Sequence, residues 1–396
     1  MFRTSNKRRA LSALSALVGL ALFACEPQSQ IPSEETRAAA LENYAELVHA
    51  GYLDSLSAAR EMRDAVRAFV SEPTSAGLEA ARAAWLAARE PYGQTEAFRF
   101  YGGPIDDADG PEALINAWPL DEAYLDGVEG LPEAGIINDP ASHPDISAES
   151  LVALNEAGAE ENVSTGYHAV EFLLWGQDRS ADGPGDRSHT DFVDGGTAPN
   201  PDRRRQALEV LADLLVQHLE ELVADWEPNA EDNYRAQFLS QAPELSLQAV
   251  FTGIGVLAKS ELAGERMFTA YDNRDQEDEH SCFSDNTHRD MITNAQGIAN
   301  VLLGRYLRTD GSAVEGTSIL DLVTAVDPEG AARLDELMQA SQEAIAAIPV
   351  PFDRAIVEDD SRPLVLEAVY GLQDLGDQIA QSAAALGLSI NTALPE

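Results

Sequence analysis

From Glu35 onward, apolar residues recur at steps of three and four, and almost nowhere do they alternate with the period of two that a half-buried strand requires. That regularity leaves helices packed on helices, an all-α fold class. Residues 35–70 place Leu41, Tyr44, Ala45, Val48, Tyr52, Leu56, Ala59, Val66 and Phe69 on one face, and Ser71-Glu72-Pro73 stops the run. Thr74 caps a second helix through Leu78, Ala81, Trp85, Ala88 and Tyr92 toward Phe98, with Pro91 expected to bend it. Residues 101–165 are richer in Gly, Pro, Asp and Asn and read as short helices and loops. A short helix follows around His168, and the polar loop 179–201 suggests a domain boundary. Beyond it, Pro201 and Asp202 open a helix running through Leu208, Leu211, Leu215, Leu219 and Leu222 to Trp226. A long apolar helix spans Ser246 to Tyr271, and others lie near 291–307, 328–347 and 362–386. The expected architecture is two four-helix-bundle-like halves, residues 37–195 and 196–396. A faint echo between Trp85–Phe98 and Glu261–Tyr271, each with Glu, Arg and an aromatic residue near a helix end, is compatible with duplication.

Within this helical chain, Gly166-Tyr167-His168-Ala169-Val170-Glu171-Phe172-Leu173-Leu174-Trp175-Gly176 is too apolar to face water, yet it carries an imidazole and a carboxylate. Three residues apart on a helix, His168 and Glu171 share a face. Burying a polar group without a partner costs roughly 2–7 kcal/mol, so both require compensation. A mutual hydrogen bond, an arginine on Glu171, or a metal ion would each supply it. The spacing differs from the His-Glu-x-x-His of zinc peptidases, which provides two imidazoles and a free glutamate from one helix.

A second polar concentration lies in Glu277-Asp278-Glu279-His280-Ser281-Cys282-Phe283-Ser284-Asp285-Asn286-Thr287-His288-Arg289-Asp290. Its histidines, cysteine and carboxylates are potential ligands for zinc, copper or iron, with His280, Asp285 and His288 the candidates. Ser284 to Thr287 are equally turn and capping residues, and Thr287 or Asp290 is placed to begin the next helix. His218 sits among leucines and reads as a helix-face residue. His49, His143 and His189 stand alone, and neither a phosphate-binding glycine loop nor a serine nucleophile elbow is found.

The N-terminus bears on location. Arg3, Lys7, Arg8 and Arg9 precede an apolar run from Leu11 to Phe23, and Leu22-Phe23-Ala24-Cys25 resembles a bacterial lipobox. Residues 1–24 are expected to be a cleaved lipoprotein signal, with Cys25 the lipidated first residue and 25–36 a tether. Glu26 at the second position favours the outer membrane of a Gram-negative envelope. Cys282 is then the only remaining thiol, which excludes an intramolecular disulfide. With 68 acidic against 26 basic residues and a net charge of −42, nucleic-acid binding is excluded, since phosphate contacts require clustered Lys and Arg. The acidic surface would attract cations, but adaptation to a salty medium is the preferred reading.

Taken together, Gly166-x-His168-x-x-Glu171 with Phe172 to Asp178, Glu96-Ala97-Phe98-Arg99-Phe100, Trp118-Pro119-Leu120-Asp121 and the 277–290 loop resemble the imelysin-like, or M75 peptidase-like, family. The last loop looks like that of its iron-regulated protein A branch. The resemblance covers nearly all of the chain after the signal segment. It implies paired helical bundles, an envelope location, and a disputed function: metallopeptidase activity or participation in iron uptake. Carried onto this chain, it makes His168 and Glu171 metal ligands, Glu96 a third contributor, Asp121 a weaker ligand candidate and Arg99 a supporting partner. Binding of iron, or of a related metal or iron complex, is the preferred expectation. Zinc is the second metal, and a zinc-dependent peptidase is the alternative function.

Overall fold

A computed structural model describes residues 1–2 and 31–395; residues 3–24 of the signal segment, Cys25 and the first half of the tether lie outside the described residues. In chain order the helices are α1 (Glu34–Ser71), α2 (Ser75–Thr95), α3 (Glu112–Ile115), α4 (Glu122–Leu125), α5 (Ala148–Leu154), α6 (Gly166–Trp175), α7 (Pro201–Asp225) and α8 (Tyr234–Ser240). Then come α9 (Pro243–Val256), α10 (Thr269–Asn273) and α11 (Thr287–Leu303), the strands β1 (Arg305–Leu307) and β2 (Ala313–Glu315), and α12 (Ile319–Val326), α13 (Pro328–Ala346), α14 (Phe352–Val357) and α15 (Arg362–Ala385). The chain is predominantly all-α, as the apolar spacing predicts. No described helix is long and apolar enough to cross a membrane.

Local chemistry sets the main boundaries. The Ser33 hydroxyl accepts from the Thr36 amide and Glu34 and Glu35 occupy the first turn of α1, favouring its positive end. Its whole predicted face is buried, together with Met62. Thr74 caps α2 by accepting from the Gly77 amide, and Pro91 sits inside α2 without ending it. After Thr95 the chain tightens into a 3₁₀ turn, Glu96–Phe98. Thr287 begins α11, one of the two starts its sequence offers, but this helix stops at Leu303 and not at 307. The hairpin β1–β2 follows, with Tyr306 opposite Val314, and the Tyr306 hydroxyl donates to Asp54 of α1 at 3.0 Å. Strands of three residues are too short to show a period.

The long helix expected over 246–271 is present, but its middle, Leu257–Phe268, is π-helical. A π turn repeats every five residues in its hydrogen bonding, so Glu261 and Arg266 become neighbours, with Arg266 Nε donating to Glu261 at 2.8 Å. In an α-helix that spacing would turn them apart.

The first bundle consists of α1, α2, α6 and α7, with α1 packed between α2 and α7 and α6 lying against α2 and α7. Residues 201–225 therefore complete the first bundle, and the expected 195/196 division does not separate two packing units. The second half gathers α9 to α11, α13 and α15, and is joined to the first through α2 against α11 and α1 against α9. One hydrophobic cluster runs through both halves.

The segment of short helices between α2 and α6 is fastened by two arginines of α7. Arg203 donates to the carbonyls of Ile136, Ile137, His143 and Pro144. Arg204 grips buried Asp126 with two bonds of 2.7 Å, and Arg187 adds a third at 2.6 Å. Burial pushes the Asp126 carboxyl up, but Arg187 and Arg204 outweigh it and hold it at about 2. A depressed carboxylate stabilises the fold fully above its unfolded value, and that contribution disappears as pH falls through its folded value. Asp126→Asn should cost about 3–5 kcal/mol in urea unfolding at pH 7, because two buried guanidinium groups lose their counter-ion. The difference from the unmutated protein should shrink between pH 4 and pH 2; a constant difference would show that charge is not its source.

Candidate metal centre

All ten residues of α6 are buried. Its backbone is held in place by α2: Trp85 Nε1 donates to the Tyr167 carbonyl at 3.0 Å, and Arg82 donates to the Leu174 carbonyl. The helix begins at Gly166, whose φ of +85° is the left-handed region that favours glycine; a Cβ there would lie 2.6 Å from the Ile115 carbonyl oxygen. Close approach of α3 to the start of α6 thus requires glycine, and it sets the direction in which His168 projects.

His168 Nδ1 and Glu171 Oε2 are 2.9 Å apart. The other carboxylate oxygen, Oε1, accepts from the Ser284 amide at 2.9 Å and the Ser284 hydroxyl at 2.6 Å. Glu171 is therefore fully engaged, whereas His168 Nε2 is buried without a hydrogen-bond partner. The neighbour of the His168 ring is the His280 ring, edge to face with centroids 4.7 Å apart. Trp118, whose Nε1 donates to the Glu279 carbonyl, packs edge-on against His280 from another side.

His280 repeats the arrangement of His168. Its Nδ1 lies 2.8 Å from Asp290 Oδ2, which also accepts from the Ser281 hydroxyl. Asp290 Oδ1 accepts from Arg89 Nε and Nη2 at 3.2 and 3.1 Å. Arg89 Nη1 donates to Asn116 Oδ1 at 2.6 Å, and the Asn116 amide group donates to Glu96 Oε1 at 3.3 Å while standing 3.5 Å from His280 Nε2. Glu96 Oε2 accepts from Arg266 at 2.6 Å and Arg99 at 2.8 Å. Arg266 also binds Asn294 at 2.9 Å, so the π-helical segment completes a polar network buried between the two halves.

Burial lowers His168 well below the usual imidazole value, with His280 and Arg89 adding to the effect. Burial and then Arg266 bring His280 down to about 4, outweighing the opposing pull of Asp290. Both rings are neutral at pH 7, the form a metal ion binds. Burial raises Glu171 to about 8. Burial also pushes Glu96 upward, but Arg266 and Arg99 hold it at about 2. Asp290 lies well below the carboxylate range, because Arg89 and His280 overcome its burial.

A metal implied by the sequence can be tested against these atoms. A buried imidazole nitrogen without a partner, beside a second neutral imidazole, with each Nδ1 held by a carboxylate, is the donor arrangement of histidine metal ligands and their orienting partners. His168 and His280 would hold the ion, and Glu171 and Asp290 would orient them. Nitrogen donors of this kind suit zinc, copper and iron.

The expected triad is revised accordingly. Among the described residues, His168, Glu171 and Glu96 do not form a group whose ligand atoms lie within 4.8 Å of one another. Glu171 is occupied by His168 and Ser284, and Glu96 by two arginines and Asn116. Arg99 does partner Glu96, and also Glu112 at 3.0 Å. Asp121 is exposed and caps α4 by accepting from the Ala123 amide. His288 faces the Asp285 carbonyl at 3.1 Å, away from His168. Asp285 lies instead with Asp178 and Asp353. Cys282 is a buried free thiol raised by burial. Sequence reasoning did not select Arg89, Asn116, Arg266, Ser284 or Asp290; an arginine among Trp85, Ala88 and Tyr92 was the available signal for the first.

Comparison with known proteins agrees with this architecture. The family model for Imelysin (Peptidase_M75) matches residues 48–381. Iron-regulated protein A of Synechococcus elongatus is 26% identical over 349 residues, covering 86% of this chain and 84% of that protein. Among solved structures, a protein proposed as an iron-regulated protein A precursor from Parabacteroides distasonis aligns with a TM-score of 0.69 at 19% identity, covering 90% of this chain and 96% of that one. An imelysin-like protein from Psychrobacter arcticus aligns with a TM-score of 0.62 at 16% identity, covering 91% and 98%. At those identities the two structures speak to the fold alone.

Gly166→Ala should cost at least about 1–3 kcal/mol through backbone strain, with the contact at Ile115 added. Chemical unfolding measures this directly, and an unchanged midpoint would show that α6 can shift without penalty.

Proposed function

The chain belongs to the imelysin family, and on that premise we propose that it is a metal-binding protein of the cell envelope that takes iron at His168 and His280 and serves iron acquisition. The observation that carries this reading is His168 Nε2, a buried nitrogen without a partner facing a second neutral imidazole. The similarity to an iron-regulated protein supports the choice of iron, with zinc the competing ion. The lipobox at Cys25 supports tethering to the outer membrane.

Peptidase chemistry is the poorer fit. It requires a general base within reach of metal-bound water and an approach for a polypeptide. Glu171 spends both oxygens on His168 and Ser284, and His168, Glu171, Glu96 and His280 are all at most 2% exposed. A single ion can enter by local opening; a peptide bond cannot reach these atoms without separating α6 from the 277–290 loop.

Chelator-treated protein should bind one iron ion per chain. His168→Ala and His280→Ala should each abolish binding with circular dichroism preserved, whereas Glu171→Gln should weaken it about 10–100-fold, as expected of an orienting partner. Undiminished iron binding in His168→Ala would sink the site. Complete loss in Glu171→Gln, equal to that in His168→Ala, would make Glu171 a ligand. Chelator-sensitive cleavage of an unfolded substrate, abolished by His168→Ala, would restore the peptidase.

A further inference from the structure

The 277–290 loop faces a second polar cluster, chemically unlike the first. Ligand oxygens of Asp178, Asp285 and Asp353 all lie within 4.8 Å of one another. They come from three separate parts of the chain: the segment after α6, the loop itself, and α14. Glu279, entirely buried, is close enough to Asp353 and Asp285 for their charges to oppose its ionisation.

These carboxylates lack the counter-ion that three other buried carboxylates possess. Asp126, Glu96 and Asp290 each bind arginine. By contrast, Asp178 Oδ2, Asp285 Oδ1, both oxygens of Asp353 and both of Glu279 are buried with no arginine, lysine or backbone amide on them, and their polar neighbours include one another, Asp178 with Asp285 and Glu279 with Asp353. Asp178, Asp353 and Glu279 are at most 3% exposed. Among the described residues no lysine or arginine pairs with any of the four; the nearby Arg354 turns to Asp182 and Glu358. Packing four acids together without a cation is unfavourable through both desolvation and mutual repulsion.

We propose that Asp178, Asp285 and Asp353, with buried Glu279 beside them, form a second metal site, separate from the imidazole pair, that takes calcium on the three aspartates and fastens the 277–290 loop to α14 and to the segment following α6. Three converging carboxylates offer up to six hard oxygen donors and no nitrogen or sulfur, within the six to eight oxygens calcium accepts in flexible geometry. The same loop supplies His280 and Ser284 to the first centre, so a cation here would hold half of that centre in position.

Calorimetric titration of the chelator-treated full chain with calcium should show one saturable site, and calcium should raise Tm by about 5 °C. Asp353→Asn and Asp285→Asn should each weaken calcium binding at least about tenfold and remove the Tm increase, while His168→Ala retains both. Because each asparagine relieves repulsion among the acids, these variants should melt no lower than the unmutated protein when calcium is absent. Absence of saturable calcium binding would overturn the proposal, leaving four carboxyls that share protons. Unchanged binding in both asparagine variants would also overturn it, as would loss of calcium binding in His168→Ala, which would move the ion to the imidazole centre.

Discussion

The ion pair between Arg89 and Asp290 is the contact on which the interior depends. It joins α2 of the first bundle to α11 of the second, with both side chains at most 2% exposed. Removing two charges from water is costly, and their attraction repays the cost only when the remaining donors and acceptors are satisfied. Here they are: Asp290 also receives His280, Ser281 and Asn286, and Arg89 also reaches Asn116. The Arg89 guanidinium lies over the rings of Trp85, Tyr92 and Tyr167, adding cation–π attraction in a dry setting. Neutralising either member would leave the other charged inside the core. It would also release the His280 ring and the Asn116 amide, because both are aimed by this pair.

The bundle helices were legible because each states its rule locally. The α1 face repeats at three and four, Thr74 and Pro73 mark a start and a stop, and Pro201 opens α7. What was not legible depends on partners distant in sequence. The π-helical stretch Leu257–Phe268 has no local signature; it becomes visible only when Glu261 and Arg266, five residues apart, are found bonded. The polar loop 179–201 looked like a boundary because composition reports turn content, whereas α7 joins the first bundle through its leucines on α1 and α6. Short elements such as α8, α12, α14 and the β1–β2 hairpin fall below the length at which a period can be read.

The same distinction explains the candidate site. His168 and Glu171 stood out because they interrupt an apolar run, and Glu96 because the family resemblance implies it. Their roles were not local. Ser284 arrives from 113 residues away to occupy Glu171, and Arg266 from 170 residues away to occupy Glu96. An acid within a motif can bind a metal or hold the group that does, and only its hydrogen bonds separate the two. Asp121, part of a distinctive tetrapeptide, lies at the surface as the cap of α4. His280, a candidate ligand from the 277–290 loop, is the ring adjacent to His168.

The two clusters served by the 277–290 loop are resolved by their counter-charges. At the imidazole pair, Asp290 and Glu96 already have arginines, and Glu171 is held by His168 and Ser284, so a cation added there would meet two neutral nitrogens and little uncompensated negative charge. At Asp178, Glu279, Asp285 and Asp353 the reverse holds: acidic groups are concentrated and, among the described residues, no arginine or lysine balances them. Nitrogen donors in a charge-balanced pocket favour a borderline transition metal, whereas an oxygen cage with excess negative charge favours a hard divalent ion. One loop therefore presents two chemically separate surfaces, and the alternation of residues along it decides which faces which. Glu279 and Asp285 turn to the acidic side, while His280, Ser281 and Ser284 turn to the imidazole side. Stiffening either face constrains the other through the few intervening backbone bonds, coupling the two sites through geometry without a shared ligand.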